Sequence, residues 1–376
     1  MMLIAVSVAM FLYVTASLVL FSPYSLWTKG ISAAALLFIS LKYVIYKYVG
    51  GAFFAPSFPD SVFLLMEALY AAMVLLFLML LLKDALMLVL WVCRRCFGMS
   101  RTFSLPLTPL KAGMSALALV LGIWGAWQAV RVPDIRTVEL RLPNLPPALD
   151  GFSIVQLTDT HVGPRLKREW LQQVVDRTNS VSPDLVVLTG DHIDGTVEAL
   201  AEEVAPFAAL RAKYGVYGVT GNHECYWGAT AWPSLLEKLH VIMLHNEHRV
   251  LNVGDDKVVI AGMPDRAERR FGGKGPDINA TLHDAPDALR ILLAHQPGDA
   301  AAYAPHADLL LSGHTHGGLI FFLQPLVARF NNGFVEGMYS VNGMHLYVSP
   351  GAGLWSGLSC RIGVPSEITR LVLRAG

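Results

Sequence analysis

Five short polar blocks recur in order along the later part of the chain: Asp159-Thr160-His161, Gly190-Asp191-His192, Gly221-Asn222-His223-Glu224, His295-Gln296-Pro297 and Gly313-His314-Thr315-His316. Each follows a short apolar run, namely Ile154–Leu157, Leu185–Leu188, Val216–Val219, Ile291–Ala294 and Leu309–Leu311, and therefore sits where a buried strand ends. One such block is an ordinary turn or cap. Five in succession deliver Asp, His and Asn side chains to the carboxyl ends of strands, where α/β sheets bind ligands. Mixed imidazole, carboxylate and carbonyl donors suit Mn, Fe or Zn better than Ca or Mg. Two such ions ~3.5–4 Å apart hold the attacking and leaving oxygens of an in-line phosphoryl displacement and make hydroxide available at neutral pH. A pair of ions needs a bridging carboxylate, and Asp191, just past Gly190, is the natural candidate.

The elements around these blocks alternate. Strands are expected at Phe152–Leu157, Leu185–Leu188 and Val216–Val219, with helices at Lys167–Asn179, Val197–Tyr214 (broken near Pro206) and Trp232–Leu239. Strand-rich sequence follows, with runs at Val241–Leu244, Lys257–Ala261, Arg290–Ala294, Leu309–Leu311, Met344–Val348 and Thr369–Leu373. This order predicts an α/β sandwich with mixed sheets.

The rest of the chain is of another kind. Of 376 residues, 54% are hydrophobic and only 15% charged, well below the ~25% of soluble domains. Residues 1–136 carry ten Lys/Arg, four Asp/Glu and no His, whereas residues 137–376 carry nineteen basic and twenty-five acidic residues and all twelve histidines. Four apolar stretches approach the ~20 residues that a bilayer core requires: 2–21, 31–49, 61–82 with an interfacial extension to 97, and 112–130. A transmembrane module of residues 1–131, a Pro-rich linker with a first strand over 132–150, and a site-bearing domain over 151–376 are thus expected. No basic stretch precedes Met2–Phe21 and no Ala-x-Ala follows it, so a cleaved signal peptide is not expected. Lys42 lies near the end of its span and is expected to snorkel, while Glu67 falls inside the third span. Lys29 in the first connection and Arg94, Arg95, Arg101 and Lys111 in the third place those loops in the cytoplasm, and with them the catalytic domain on the outer side. Cys93 and Cys96 have CxxC spacing but no second pair to complete a zinc site; Cys225 and Cys360 are left open to pairing. The acidic balance of the later module, without a basic stripe, excludes nucleic acid as a partner.

Together the five blocks resemble the calcineurin-like metallophosphoesterases over roughly residues 150–350. His316-Gly317-Gly318, Tyr347–Gly353 and Pro365–Thr369 resemble the membrane-associated YkuE/YaeI-type branch of that family. The resemblance implies a four-layer αββα sandwich and two divalent metal ions (Mn, Zn or Fe). Asp159, His161, Asp191 and His316 would bind the first; Asp191, Asn222, His295 and His314 would bind the second. His223 matches the position that contacts the phosphate and assists the leaving oxygen, so the catalytic residues are His223, Asn222 and Asp191. The implied activity is a metal-dependent phosphoric ester hydrolase of phosphodiesterase or pyrophosphatase type, acting by attack of a metal-bridging hydroxide. Aromatic and aliphatic residues beside the blocks (Tyr226-Trp227, Trp232, Leu319–Leu323 and Trp355) and the membrane module favour a lipid-linked or amphiphilic phosphate, with Arg329, Asn331 and Asn332 as headgroup candidates. A broad-specificity phosphodiesterase of soluble nucleotides is the competing enzyme, and a non-enzymatic membrane sensor or assembly factor, which would have lost a ligand or His223, the third reading. The bilayer is the expected partner and a bacterial inner membrane, with the domain on the periplasmic side, the expected location. His192 stands where the family has an apolar residue and is expected to be structural or to support a ligand; Asp194 is expected to cap a helix or hold its loop.

Overall fold

The computed structural model describes residues 2–97, 106–143, 145–355 and 357–376. It divides into two compact units: residues 1–128 together with 356–360, and residues 129–355 together with 361–376.

Among the described residues of the first unit, three helices are long and apolar enough to cross a membrane. These are α1 (Met2–Val14) with its π-helical continuation Thr15–Leu20, and the helices Asp60–Phe97 and Leu107–Val130. The stretch expected as one span over 31–49 forms two helices, α2 (Leu26–Ser40) and α3 (Lys42–Tyr48), bent by 56°, which together are long and apolar enough to make a fourth, broken span. The long helices that follow are α4 (Asp60–Phe97) and α5 (Leu107–Val130). The break falls at Leu41, whose ψ of 9° leaves the helical range. It turns Lys42 inward, and Lys42 is fully buried rather than snorkelling. Its ammonium meets the Glu67 carboxylate at 2.8 Å, between the rings of Tyr43 and Tyr70. The remaining Glu67 oxygen accepts from Tyr46 Oη at 2.6 Å, the Ser359 amide donates to Glu67 at 3.3 Å, and Tyr43 donates to the Gly357 carbonyl. α4 and α5 approach closely: a Cβ on Gly122 would lie 2.6 Å from the Ala68 carbonyl oxygen. Ala118 and Ala126 are buried on the same face, a small-residue seam that lets two membrane helices touch backbone to backbone. Arg101 lies outside the described residues.

The second unit is an α/β domain of two mixed six-stranded sheets. Its strands are β1 (Asp134–Leu142), β2 (Ser153–Leu157), β3 (Leu185–Thr189), β4 (Val216–Val219), β5 (Ile242–Met243), β6 (Glu247–Val253), β7 (Asp256–Gly262), β8 (Leu289–Leu293), β9 (Leu309–Ser312), β10 (Gly337–Val341), β11 (Met344–Val348) and β12 (Glu367–Ala375). One sheet runs β1-β12-β2-β3-β4-β5 and the other β10-β11-β9-β8-β7-β6. The inner faces close over a core that includes Ile154, Val187, Ile260, Leu293 and Leu311. The outer face of the first sheet is covered by α6 (Arg168–Ser180), α7 (Val197–Val204) and, beyond α8 (Asn222–Gly228), α9 (Ala231–Lys238). The outer face of the second is covered by Ala300, Tyr303 and Ala304. β6 and β10, for which the sequence shows no buried run, are the two edges of their sheet, and their alternating exposure removes the apolar signal. All four cysteines are free thiols, so the possible Cys225–Cys360 pair is not made.

Removing either partner of the Lys42–Glu67 pair leaves a buried charge unpaired, a loss of about 3–5 kcal/mol. Lys42→Met and Glu67→Met are each expected to lower the thermal midpoint of the detergent-solubilised protein, and the double variant to recover most of that loss. A double variant no more stable than the worse single variant would refute the pairing.

Candidate metal centre

β2, β3 and β4 lie side by side and parallel, as do β8 and β9 in the other sheet, so their carboxyl ends open into one crevice. Asp159 and His161 follow β2, Asp191 follows β3, Asn222 and His223 open α8 after β4, His295 follows β8, and His314 and His316 follow β9. Five of these eight carry positive φ: Asp159 (52°), His161 (44°), Asp191 (53°), His314 (73°) and His316 (49°). Left-handed backbone at non-glycine residues is strained and collects at functional sites. Gly190, at φ 91°, makes the approach possible, because a Cβ there would lie 2.6 Å from the Gly221 amide nitrogen and 2.8 Å from His295 Nδ1.

Among the described residues three groups of possible donors result: Asp159, His161 and His316; Asp191, His295 and His314; and His161, Asp194 and His223, each with its ligand atoms within 4.8 Å of one another. His161 Nε2 faces His316 Nε2 at 3.1 Å, and the latter lies 3.3 Å from Asp159 Oδ1. His295 Nε2 lies 3.1 Å from Asp191 Oδ2 and 3.3 Å from His314 Nδ1. The His295 ring is oriented by its other nitrogen, which donates to the Thr189 carbonyl at 2.8 Å and leaves Nε2 to face the crevice. Asn222 Oδ1 is buried without a hydrogen-bond partner. A buried acceptor lacking a donor is costly unless a cation or a donor meets it. The donor set therefore fits two divalent ions of borderline softness.

Residues around the donors hold them in place. Glu224, fully buried, accepts from the amides of Gly221 (2.6 Å), Asp191 (3.0 Å) and His192 (2.7 Å), tying the β3 and β4 loops into one piece. The Thr158 hydroxyl donates to Asp159 Oδ2 at 2.7 Å, and the His314 amide donates to the same carboxylate. Arg361 is fully buried, and its guanidinium donates to the carbonyls of Pro350 (2.8 Å), Gly353 (2.9 Å) and His316 (3.4 Å). His192 accepts the Gly190 amide at Nε2 and packs on Phe207; burial pushes its pKa down to about 3, so it is a neutral structural ring. Asp194 neither caps a helix nor merely holds its loop. It bonds His223 Nδ1 at 2.5 Å and lies 3.3 Å from His161 Nδ1. Burial alone would lower the His223 pKa, but the Asp191 and Asp194 charges outweigh it and raise it to about 9. His223 Nε2 points toward Asp191 Oδ2, 3.9 Å away. Neither Glu224 nor Arg361 was singled out from the sequence for such a role; only the Glu three residues after Gly221 hinted at it.

Of the neighbouring apolar residues, Trp232 is core, its indole donating to the Gly195 carbonyl, and Leu319 and Ile320 are buried. Phe321, Phe322, Leu326 and Phe330 stand exposed by 57, 44, 54 and 76%. Of the headgroup candidates, Asn331 is buried and donates to the Val327 carbonyl, Asn332 donates to the Gly298 carbonyl, and Arg329 is exposed.

Two mixed sheets with His, Asp and Asn donors gathered at their carboxyl ends define a metal-dependent phosphoric ester hydrolase. The model of the calcineurin-like phosphoesterases matches residues 152–318. The chain is 37% identical over 308 residues to the transmembrane protein with metallophosphoesterase domain of Bos taurus, covering 78% of this chain and 68% of that one. It is 38% identical to the uncharacterized metallophosphoesterase Cj0846 of Campylobacter jejuni (65% and 64% covered) and 32% identical to the uncharacterized metallophosphoesterase YkuE of Bacillus subtilis (64% and 86%). The chain belongs to the calcineurin-like metallophosphoesterase family.

Supporting groups of this kind typically govern metal affinity by about 10–100-fold. Glu224→Gln, which sets an amide NH2 against backbone donors, and Arg361→Met are each expected to weaken Mn(II) binding by that factor in a calorimetric titration. Wild-type affinity in both would show that the loops hold without them.

Proposed function

We propose that this protein is a membrane-anchored hydrolase of phosphate ester or diphosphate bonds in an amphiphilic, lipid-linked substrate. Two divalent ions, held by Asp159, His161, Asp191 and His316 and by Asp191, Asn222, His295 and His314, would supply Lewis-acid charge and a water of lowered pKa at phosphorus. Asp191 is the carboxylate shared by both sets. His223 faces the same crevice and, protonated and held by Asp194, donates its Nε2 proton to the departing oxygen. Manganese, zinc and iron all suit the donors.

The observation that carries the amphiphile is the segment after the His316 loop. Phe321, Phe322, Leu326 and Phe330 are presented to solvent there, an apolar surface that a soluble enzyme for soluble nucleotides has no reason to keep. The first unit keeps the enzyme in a bilayer, where such substrates reside. The basic connections around Lys29, Arg94 and Arg95 support a topology with the second unit on the outer side of a bacterial inner membrane; a topology reporter fused at Gly376 tests that side.

Asp191→Asn is expected to lose both metal ions together, read by metal analysis, and all hydrolysis. His223→Ala is expected to slow alkyl phosphodiesters about 10²–10⁴-fold while sparing p-nitrophenyl esters, whose leaving group needs no proton. Because the His223 pKa lies above its ordinary value, the donating form is complete at neutral pH and is lost as pH rises through about 9, or lower once cations neutralise Asp191. Rates with alkyl esters should fall along that limb, and Asp194→Asn should move it down. For the substrate, kcat/KM on a micellar lipid phosphate should exceed that on a water-soluble aryl phosphodiester, and Phe321→Ser/Phe322→Ser should reduce the first about tenfold without changing the second. Equal preference in the wild type would favour soluble nucleotides.

A further inference from the structure

The first unit contains an open, largely apolar pocket of about 330 Å³ that carries a few charged and hydroxyl groups. Its walls come from three helices: Tyr13, Ser17 and Phe21 at the end of the first span, Lys83 and Asp84 on α4, and Lys111 in the first turn of α5. Lys83 is twenty-three residues beyond Asp60, about 35 Å along a helix, and so about one ~30 Å bilayer core away from it. The end of the first span, the start of α5 and Lys83 therefore share one headgroup layer. Phe21, Tyr24 and Trp27, exposed by 84, 48 and 82%, are the aromatic residues that such a layer attracts.

The polar groups are mutually arranged. The Lys83 ammonium pairs with Asp84, whose other oxygen accepts from Tyr13 Oη at 2.6 Å and from Ser17 Oγ at 3.3 Å. Lys111 donates to the Ser17 carbonyl, and Lys29 donates to the Leu20 carbonyl at 2.9 Å. Ser17 and Leu20 belong to the π-helical stretch Thr15–Leu20, a rare geometry that recurs at functional sites. Lys83 and Lys111 against Asp84 leave the cavity one positive charge. Each ammonium has three donors, and among the described residues each uses one on a protein oxygen. Basic pockets between membrane helices are suited to lipid headgroups.

We infer that this cavity binds the phosphate of an anionic phospholipid. Lys83 and Lys111 donate to the phosphate oxygens, and Phe21 lies against the glycerol and the first acyl carbons. The apolar wall and single excess charge favour a lipid monoanion over free phosphate.

The test uses the full-length protein, delipidated in detergent and titrated by native mass spectrometry with dioleoyl phosphatidylglycerol or dioleoyl phosphatidylcholine. Expected is one phosphatidylglycerol retained in preference to phosphatidylcholine, about fivefold weaker in Lys83→Gln and again in Lys111→Gln, with Lys83→Arg/Lys111→Arg close to wild type. Hydrolysis of a soluble aryl phosphodiester, unchanged in all variants, serves as the folding control. Should the glutamine variants not fold, competition on the wild-type protein decides. Phosphatidylglycerol unmoved by millimolar inorganic phosphate supports the lipid site, whereas displacement at that concentration makes it a soluble-anion site and overturns the assignment. Equal retention of phosphatidylcholine, or undiminished phosphatidylglycerol binding in a folded Lys83→Gln/Lys111→Gln protein, overturns it as well.

Discussion

Four buried carboxylates, Asp159, Asp191, Asp194 and Glu224, share the end of one domain with four buried or half-buried imidazole donors. Negative charge and lone pairs cannot be packed so densely away from water without positive charge among them. Every surrounding feature answers that constraint. Burial raises the Asp159 carboxyl, while His295, held against Asp191, is driven well above the ordinary imidazole range despite its own burial. Glu224 spends its charge on three backbone amides, and Arg361 brings a full positive charge beneath the His316 loop. The strained backbone at five donors persists because this framework leaves the loops no alternative.

The first unit meets a related problem in another solvent. Lys42 and Glu67 are hidden together, and both oxygens of the carboxylate are engaged, by an ammonium and an amide on one and a phenol on the other. Apolar helices give lipids nothing to discriminate, so the specificity of packing comes from such pairs and from small-residue seams like that at Gly122.

Much of this was legible in the sequence. The polar blocks follow buried strands, and strand ends converge by topology alone, so the sequence already groups Asp159, His161, Asp191, Asn222, His295, His314 and His316. Apolar stretches of bilayer length were equally plain. What stayed hidden depends on contacts distant in sequence. Arg361 reaches a loop 45 residues earlier and Glu67 pairs with Lys42 25 residues before it; periodicity carries no record of either. The bend at Leu41 is marked by neither glycine nor proline, so no local breaker announces it. Asp194 resembles a cap in sequence because it precedes a helix start, and its hold on the His223 ring is a contact 29 residues away. β6 and β10 escaped because edge strands present half their residues to water.

Residues 357–360 are members of the first unit although they lie near the opposite end of the chain. A ribosome must therefore release more than two hundred residues after α5 before the Glu67 carboxylate can receive the Ser359 amide or Tyr43 the Gly357 carbonyl. The helices enter the bilayer early, with part of their internal hydrogen bonding still unmet. Completion of the membrane unit thus waits until the intervening residues 129–355 have been made, and helices synthesised before that stretch are finished only after it.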